Sequence, residues 1–314
     1  MKQNKKHRKK IVPTEFIGKT YLDPKYDPAF KAFFDSEDTL RNFLNAILQL
    51  KGKNRIRNIS YRTEHEVVFR TPHKKTLKFD IYAATASHRF FDIEMQLADD
   101  TFFVDRTILN KAFLIIKAKT LMDKSKKIKA LSKTEQRKRR YELPETISIW
   151  LCDFDLPRNN GDFLDEWAIY SKNDVKAGAA IPLSIKNRYI MVSLPHFNKI
   201  KSELKNDLDK WLYLLNNAGQ CNQLPEFGKI YSEALERIKV DNADSELLKA
   251  QEKNMSCTKE TFEIIMAGKI VDAMEKDRLK IAHRLFDMGK LSNDEISEVS
   301  GVAASKIRRW KRKV

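Results

Sequence analysis

Cysteine is scarce in this chain of 314 residues, and long apolar runs are absent from it. The three cysteines, Cys152, Cys221 and Cys257, stand far apart and form no CxxC or Cys/His cluster. This spacing predicts neither a disulfide framework nor a zinc site, and it is typical of thiols in a reducing compartment. No uninterrupted apolar stretch approaches the ~18 residues of a membrane span. We therefore expect a cytoplasmic location and no membrane insertion.

Acidic residues are the minority among the charged side chains. Lys and Arg total 60 against 43 Asp and Glu, which gives a net charge of +17. Such a charge favours polyanionic partners, with nucleic acid first and an anionic membrane surface second, although a basic surface also serves solubility alone. The first ten residues are basic, but no apolar segment follows them as in a secretory signal. We expect residues 1–25 to form a basic arm and lead-in.

Two runs of alternating apolar and polar residues stand out, Thr76–Ala83 and Phe91–Leu97. A period of two predicts half-buried β-strands, and the short polar loop between the runs predicts a hairpin. If the strands pair, Asp80 comes close to Glu94 and Gln96 on the face turned away from the apolar layer. Acidic side chains on a solvent-facing strand surface are ordinary. The same convergence of two carboxylates and an amide also suits a hard divalent cation.

Asp80, followed by Glu94-x-Gln96 within Phe-Asp-Ile-Glu-Met-Gln, resembles the PD-(D/E)xK nuclease signature. More specifically, it resembles the recombination-promoting nuclease and transposase-like family, in which Gln often replaces the last Lys. The resemblance extends in order from Tyr26 to Leu215. It implies a restriction-endonuclease-like α/β core over residues 26–216, with a central mixed sheet flanked by helices.

The resemblance also implies roles for the polar residues of the hairpin. Asp80, Glu94 and Gln96 match the catalytic positions, and Asp80 and Glu94 would hold Mg²⁺, with Mn²⁺ as the alternative ion. Glu64 stands where related sequences carry an acidic residue that assists metal binding, although it also reads as a solvated loop carboxylate. Gln96 can orient a water by hydrogen bonds, but it cannot supply a cation or act as a base.

A helix is predicted from Phe102 to Met122, with Ile108, Ala112, Ile115 and Ile116 on its apolar stripe. Arg106 matches an Arg common in the family's helix, and Lys111 lies nearby; the resemblance implies that such cations contact the scissile phosphate. A strongly basic insertion follows at residues 117–140. It would either follow a DNA backbone beside the cleft or form a solvated loop.

The remaining elements follow from their patterns. Strands are expected at 56–61, 66–70, 147–152 and 188–195, and helices carry the stripes Leu40, Phe43, Leu44, Ile47, Leu48 and Leu204, Leu208, Trp211, Leu212, Leu215. Residues 217–257 read as a helical connector.

The C-terminal segment, residues 258–314, resembles a helix-turn-helix hairpin. Ser292 and Glu295 form a capping box, Gly301 makes the turn, and a second helix is expected from Ala304 to Lys313. That helix carries the candidate DNA-binding cations Lys306, Arg308, Arg309, Lys311 and Arg312.

Two functions of different classes fit these features. The first is a metal-dependent DNA endonuclease of the recombination-promoting, transposase-like kind with little sequence preference. The second is a catalytically inactive DNA-binding protein that retains the nuclease fold. RNA is an alternative substrate, because charge does not distinguish it from DNA, and a homodimer is an open option.

Overall fold

The computed structural model of the chain describes residues 12–68, 76–157 and 160–310, without the side chains at 63–68, 76, 77 and 272. The first 11 residues of the expected basic arm lie outside these ranges. The chain divides into two compact units, residues 1–255 and 256–314. No helix within the described ranges has the length and hydrophobicity needed to cross a membrane. The boundaries at 25, 216 and 257 stay predictions.

A six-stranded mixed sheet lies at the centre of the first unit. Its strands are β1 (Ser60–Val68), β2 (Thr76–Ala84), β3 (Arg89–Gln96), β4 (Glu145–Cys152), β5 (Leu164–Trp167) and β6 (Asn187–Ser193). Their order across the sheet is β1-β2-β3-β4-β6-β5. Strands β1 to β3 are antiparallel neighbours, whereas β3, β4 and β6 run parallel. The predicted α/β core with a mixed sheet is confirmed.

Helices cover both faces of this sheet and form the second unit. They are α1 (Asp27–Phe34), α2 (Glu37–Ile47), α3 (Phe103–Lys124), α4 (Lys126–Lys129), α5 (Lys133–Lys138), α6 (Lys172–Lys176), α7 (Asp207–Asn217), α8 (Lys229–Arg237), α9 (Ser245–Met288), α10 (Asn293–Ser300) and α11 (Ala304–Ile307). One prediction about the strands is wrong: residues 60–61 and 66–68 do not belong to two separate strands, and residues 69–70 of the second predicted strand lie outside the described ranges. A single strand, β1, spans Ser60–Val68, because it pairs in one continuous register with β2.

The main core lies on the sheet face that α1, α2 and α7 cover. Apolar strand residues such as Ile81, Ile93 and Ile149 are fully buried there. The predicted α2 stripe of Leu40, Phe43, Leu44, Ile47 and Leu48 is buried as well. Trp211 packs edge-on against Phe33, and its Nε1 donates to Asn42 Oδ1 at 2.8 Å. The contacts of the Trp211 ring therefore hold α7 against α1 and α2 on this face of the sheet.

Helix α3 covers the opposite face of the sheet, which the strand pattern alone suggested would meet solvent. The predicted apolar stripe of α3 is wrong: Ile108 and Ile116 are exposed. The side chains that α3 buries are Phe103, Thr107, Asn110, Lys111, Leu114, Ala118 and Met122. This inward face is partly polar because it lies over strand positions that carry carboxylates, so hydrophobicity alone selects the wrong side of the helix.

The range expected to be a connector also contributes to the core of the first unit. Tyr231, Leu235 and Leu248 are buried with the main core residues. Gln251, in the first turns of α9, accepts a hydrogen bond from Ala29 N at 3.1 Å and donates to Asp23 O at 2.9 Å. These bonds fix the start of α1 to a segment more than 200 residues away.

The second unit has its own small core of Ala282, Phe286, Ile296, Val302 and Ile307. The predicted capping box of Ser292 and Glu295 begins α10, and Gly301 ends it with a φ of 69°. The second helix of the hairpin is shorter than predicted, since α11 ends at Ile307. Trp310 stacks on His283 with the ring centroids 3.7 Å apart, which holds the chain that follows α11.

Candidate active site

Asp80 and Glu94 lie opposite each other at the point where the β2–β3 ladder ends. The last backbone pair is Ile81 with Ile93. Beyond it, Asp80 N donates to Glu94 Oε1 at 3.3 Å, and Met95 N donates to Asp80 Oδ2 at 3.0 Å. Side-chain oxygens thus accept bonds from backbone N–H groups at the position where the two strands separate.

Asp92 adds a third carboxylate to this pair. It shares the β3 parity of Glu94, and both side chains are buried under α3. Apart from the Glu94 carboxyl, with which Asp92 can share a proton, no group of the described residues makes a hydrogen bond to either oxygen of Asp92. We call Asp80, Asp92 and Glu94 the carboxylate cluster. The sequence pattern placed Asp92 on this face, but nothing in it indicated that the face would be covered.

Burial is the main cause of the raised pKa values of the three carboxyl groups in the carboxylate cluster. Removal from water raises the pKa of Asp80 to about 6, with a further contribution from the Asp27 carboxylate of α1. It raises the pKa of Asp92 to about 7. The pKa of Glu94 lies well above its ordinary value, because burial is reinforced by the charges of Asp80 and Asp92. Near neutral pH the cluster therefore needs protons or a cation to offset its charge.

Gln96 and Arg106 meet at the end of β3. Arg106 Nη1, from the first turns of α3, donates to Gln96 Oε1 at 2.8 Å. The Gln96 amide donates in turn to Ala98 O at 2.8 Å, so its orientation is fixed. Arg106 is exposed and lies over the Trp150 ring at 5.8 Å. A cation thus stands next to the residue that replaces Lys in the motif.

Lys111 does not join this exposed edge. It is buried, and its Nζ donates to Thr146 O at 2.6 Å and Arg188 O at 2.8 Å. Burial lowers the pKa of Lys111 to about 7, opposed by the charge of Asp92. Its contacts link α3 to the backbones of β4 and β6, so we leave Lys111 out of the candidate phosphate contacts.

The structure gives Glu64 a backbone position only. In β1, Thr63 pairs with Ile81 and His65 with Phe79, so the backbone of Glu64 lies beside that of Asp80. Its side chain lies outside the described residues, and its predicted metal-assisting role stays a prediction.

The tail cations predicted to bind DNA differ in their ion pairs and exposure. Lys306 Nζ lies 3.6 Å from Glu275, and Arg308 pairs with Asp294 at 2.8 Å, both on the surface. Arg309 is exposed. Lys311 and Arg312 lie outside the described residues.

The basic insertion begins within α3, where Lys117 lies over the Tyr82 ring at 3.9 Å, and its later part lies away from the carboxylate cluster. Helix α3 begins beside Gln96 and runs back along the sheet, so that Met122, Lys127 and Arg139 line a cavity with His88 and Arg89 at the opposite end of β3. Whether the insertion follows a DNA backbone stays a prediction.

The carboxylate cluster fits a divalent cation in its chemistry. Within the described ranges, no three His, Cys, Asp or Glu side chains are arranged as a complete metal-binding set. Mg²⁺ does not require one, because it binds through one or two carboxylates with waters and substrate phosphate. Among the described residues the buried Asp92 oxygens have the Glu94 carboxyl as their one hydrogen-bond partner, and all three carboxyls of the cluster have raised pKa values; a bound cation would relieve both features.

Comparison with known proteins agrees with this arrangement. A family model described as PD-(D/E)XK nuclease family transposase matches residues 24–282. The comparisons with curated proteins and with solved structures give no match. The matched range contains the mixed sheet, α3 and the carboxylate cluster.

Proposed function

Because the chain belongs to the PD-(D/E)XK nuclease family of transposases, we propose that it is a metal-dependent endonuclease that hydrolyses DNA phosphodiester bonds with little sequence preference. Mg²⁺ is the proposed ion and Mn²⁺ the alternative. The observation that carries the proposal is the carboxylate cluster beside the Gln96–Arg106 pair. The proposed location is the cytoplasm.

In this proposal Asp80 and Glu94 would hold the cation, assisted by Glu64. A bound divalent cation activates water and offsets charge on the phosphoryl oxygens. Asp92 supports Glu94 from the buried side, where Lys111 contributes positive charge to its surroundings. These residues act as a unit because their charges interact in a water-poor environment.

Gln96 and Arg106 act on the substrate side of the cluster. Gln96 Oε1, held by Arg106, can accept a hydrogen bond from the attacking water and thereby orient it. Arg106 presents its guanidinium at the exposed edge, where it can pair with a phosphate oxygen and stabilise developing charge. The missing motif Lys is thus replaced by two residues with separate tasks. The basic tail residues Lys306, Arg308 and Arg309 are proposed to bind the DNA backbone outside the site, together with Lys311 and Arg312.

Nicking of supercoiled plasmid tests the proposal. The wild type should nick with Mg²⁺ or Mn²⁺ and stop in EDTA, and Asp80→Asn and Glu94→Gln should each reduce the rate at least about a hundredfold. Asp174→Asn is the matched control, since Asp174 is exposed on the short helix α6 and far along the chain from the motif. Equal nicking by wild type and Asp80→Asn would contradict the assignment.

The replacement of Lys by Gln96 favours one other function, a DNA-binding protein that does not cut. Retention of DNA binding with no nicking under any divalent cation would support that alternative. Parallel digestion of single-stranded RNA and DNA decides the substrate, and faster cleavage of RNA would overturn the choice of DNA.

A further inference from the structure

Helix α9 exposes a row of apolar side chains in the second unit. Phe262, Met266, Ile270 and Met274 follow one another at intervals of four residues. Their exposed fractions are 48%, 41%, 56% and 52%. An interval of four residues keeps neighbouring side chains within about 40° around a helix, so the four form one stripe. An exposed apolar stripe of this kind indicates a binding surface.

The stripe is symmetric along the helix. Lys259 precedes Phe262 by three residues, and Asp277 follows Met274 by three. Both charged residues fall on the same side of the helix as the apolar ones. Read from either end, the spacing is therefore the same, with a cation at one end and an anion at the other.

This symmetry determines what an identical helix would meet. In an antiparallel pair centred on residue 268, Phe262 lies opposite Met274, and Met266 lies opposite Ile270. Lys259 of each helix then faces Asp277 of the other, which gives two opposite-charge pairs. In a parallel pair each charge would face its own copy, which is repulsive.

We propose that the Lys259–Asp277 stripe of α9 binds the same stripe of a second copy of this chain in antiparallel orientation. Such a contact is isologous and closes as a dimer. Asp277 also lies 3.8 Å from Lys280 on its own helix, but both groups are mostly exposed, and such a pair contributes little. The proposal does not depend on nuclease activity.

Sedimentation velocity of the full chain at increasing concentration tests the contact. The wild type should dimerise, and Met266→Glu should raise the dissociation constant more than about tenfold, because it places a charge in the apolar contact. Ile264→Glu is the matched control, since Ile264 is 72% exposed and lies about 140° around the helix from the centre of the stripe and about 160° from Met266. A monomer at every concentration would overturn the proposal, as would equal weakening by both variants.

Charge reversal tests the orientation. Asp277→Lys and Lys259→Asp should each weaken the dimer, and the double variant should restore wild-type affinity because the opposite-charge pairs re-form. Failure of the double variant to recover would overturn the antiparallel register. Thermal melts of each variant separate loss of association from loss of folding, since all the substituted side chains are exposed.

Discussion

Replacing Asp80 with Asn removes one negative charge from the carboxylate cluster while leaving its main hydrogen bond possible. The Asn side-chain oxygen can still accept from Met95 N, as Asp80 Oδ2 does at 3.0 Å. The amide does not ionise, so it avoids the cost of a buried charge next to Glu94. We therefore predict that Asp80→Asn stabilises the metal-free protein although it abolishes cleavage.

The size of the effect follows from the pKa of Asp80. Burial, with the Asp27 charge second, raises this pKa from 3.8 to about 6. Well below pH 3.8 the Asp80 carboxyl is protonated in both the folded and the unfolded chain, so it does not change the free energy of unfolding. As pH rises through 3.8 to about 6 the unfolded chain loses its proton first, so stability falls. Above about pH 6 the ionised carboxyl lowers the free energy of unfolding by about 3 kcal/mol, and at pH 5 it lowers it by about half as much.

Urea unfolding at pH 8 and pH 5 in EDTA measures this difference. The free energy of unfolding of Asp80→Asn should exceed that of the wild type by about 3 kcal/mol at pH 8 and by about half as much at pH 5. Saturating Mg²⁺ should then stabilise only the wild type, so the difference in free energy of unfolding between Asp80→Asn and the wild type should shrink or change sign. Asp174→Asn should stay within about 0.5 kcal/mol of the wild type. A destabilised Asp80→Asn at pH 8 would show that the ionised Asp80 carboxylate does not lower the stability of the metal-free protein.

Three further substitutions test the surroundings of the site. Arg106→Lys keeps a cation but loses the planar group that holds Gln96, so nicking should slow by about ten- to a hundredfold; an unchanged rate in plasmid assays would exclude Arg106 from the reaction. Lys111→Met leaves Thr146 O and Arg188 O without their buried donor, and urea melts should show a loss of about 2–3 kcal/mol with DNA affinity unchanged; weaker DNA binding by a well-folded variant would instead indicate a phosphate contact. Trp211→Ala should cost about 3–5 kcal/mol in the same melts, because it empties the aromatic core beside Phe33; a loss below about 1 kcal/mol would contradict the packing described.

The strand alternation was the most informative part of the sequence. It predicted the hairpin and placed Asp80, Glu94 and Gln96 on one face, which the structure brings together with Arg106. The catalytic roles of these residues stay predictions. The alternation could not reveal that the polar face is buried, because that depends on α3, whose inward side carries Thr107, Asn110 and Lys111 rather than an apolar stripe.

Long-range contacts explain most of the other differences. No local pattern indicates that Gln251 would bind the start of α1, or that Arg237 would donate to Ala32 O. Helix propensity likewise gave no sign that α11 would end at Ile307, a residue that lies in the small core with Phe286. Local periodicity thus identifies elements, while their docking decides which faces are buried.

The most direct test of the central claim is the binding of Mn²⁺, followed by electron paramagnetic resonance at pH 8 in the absence of DNA. We expect the wild type and Asp174→Asn to bind the ion alike, and Asp80→Asn and Glu94→Gln to lose at least about tenfold in affinity. Equal affinity across all four proteins would show that the carboxylate cluster is not the metal site.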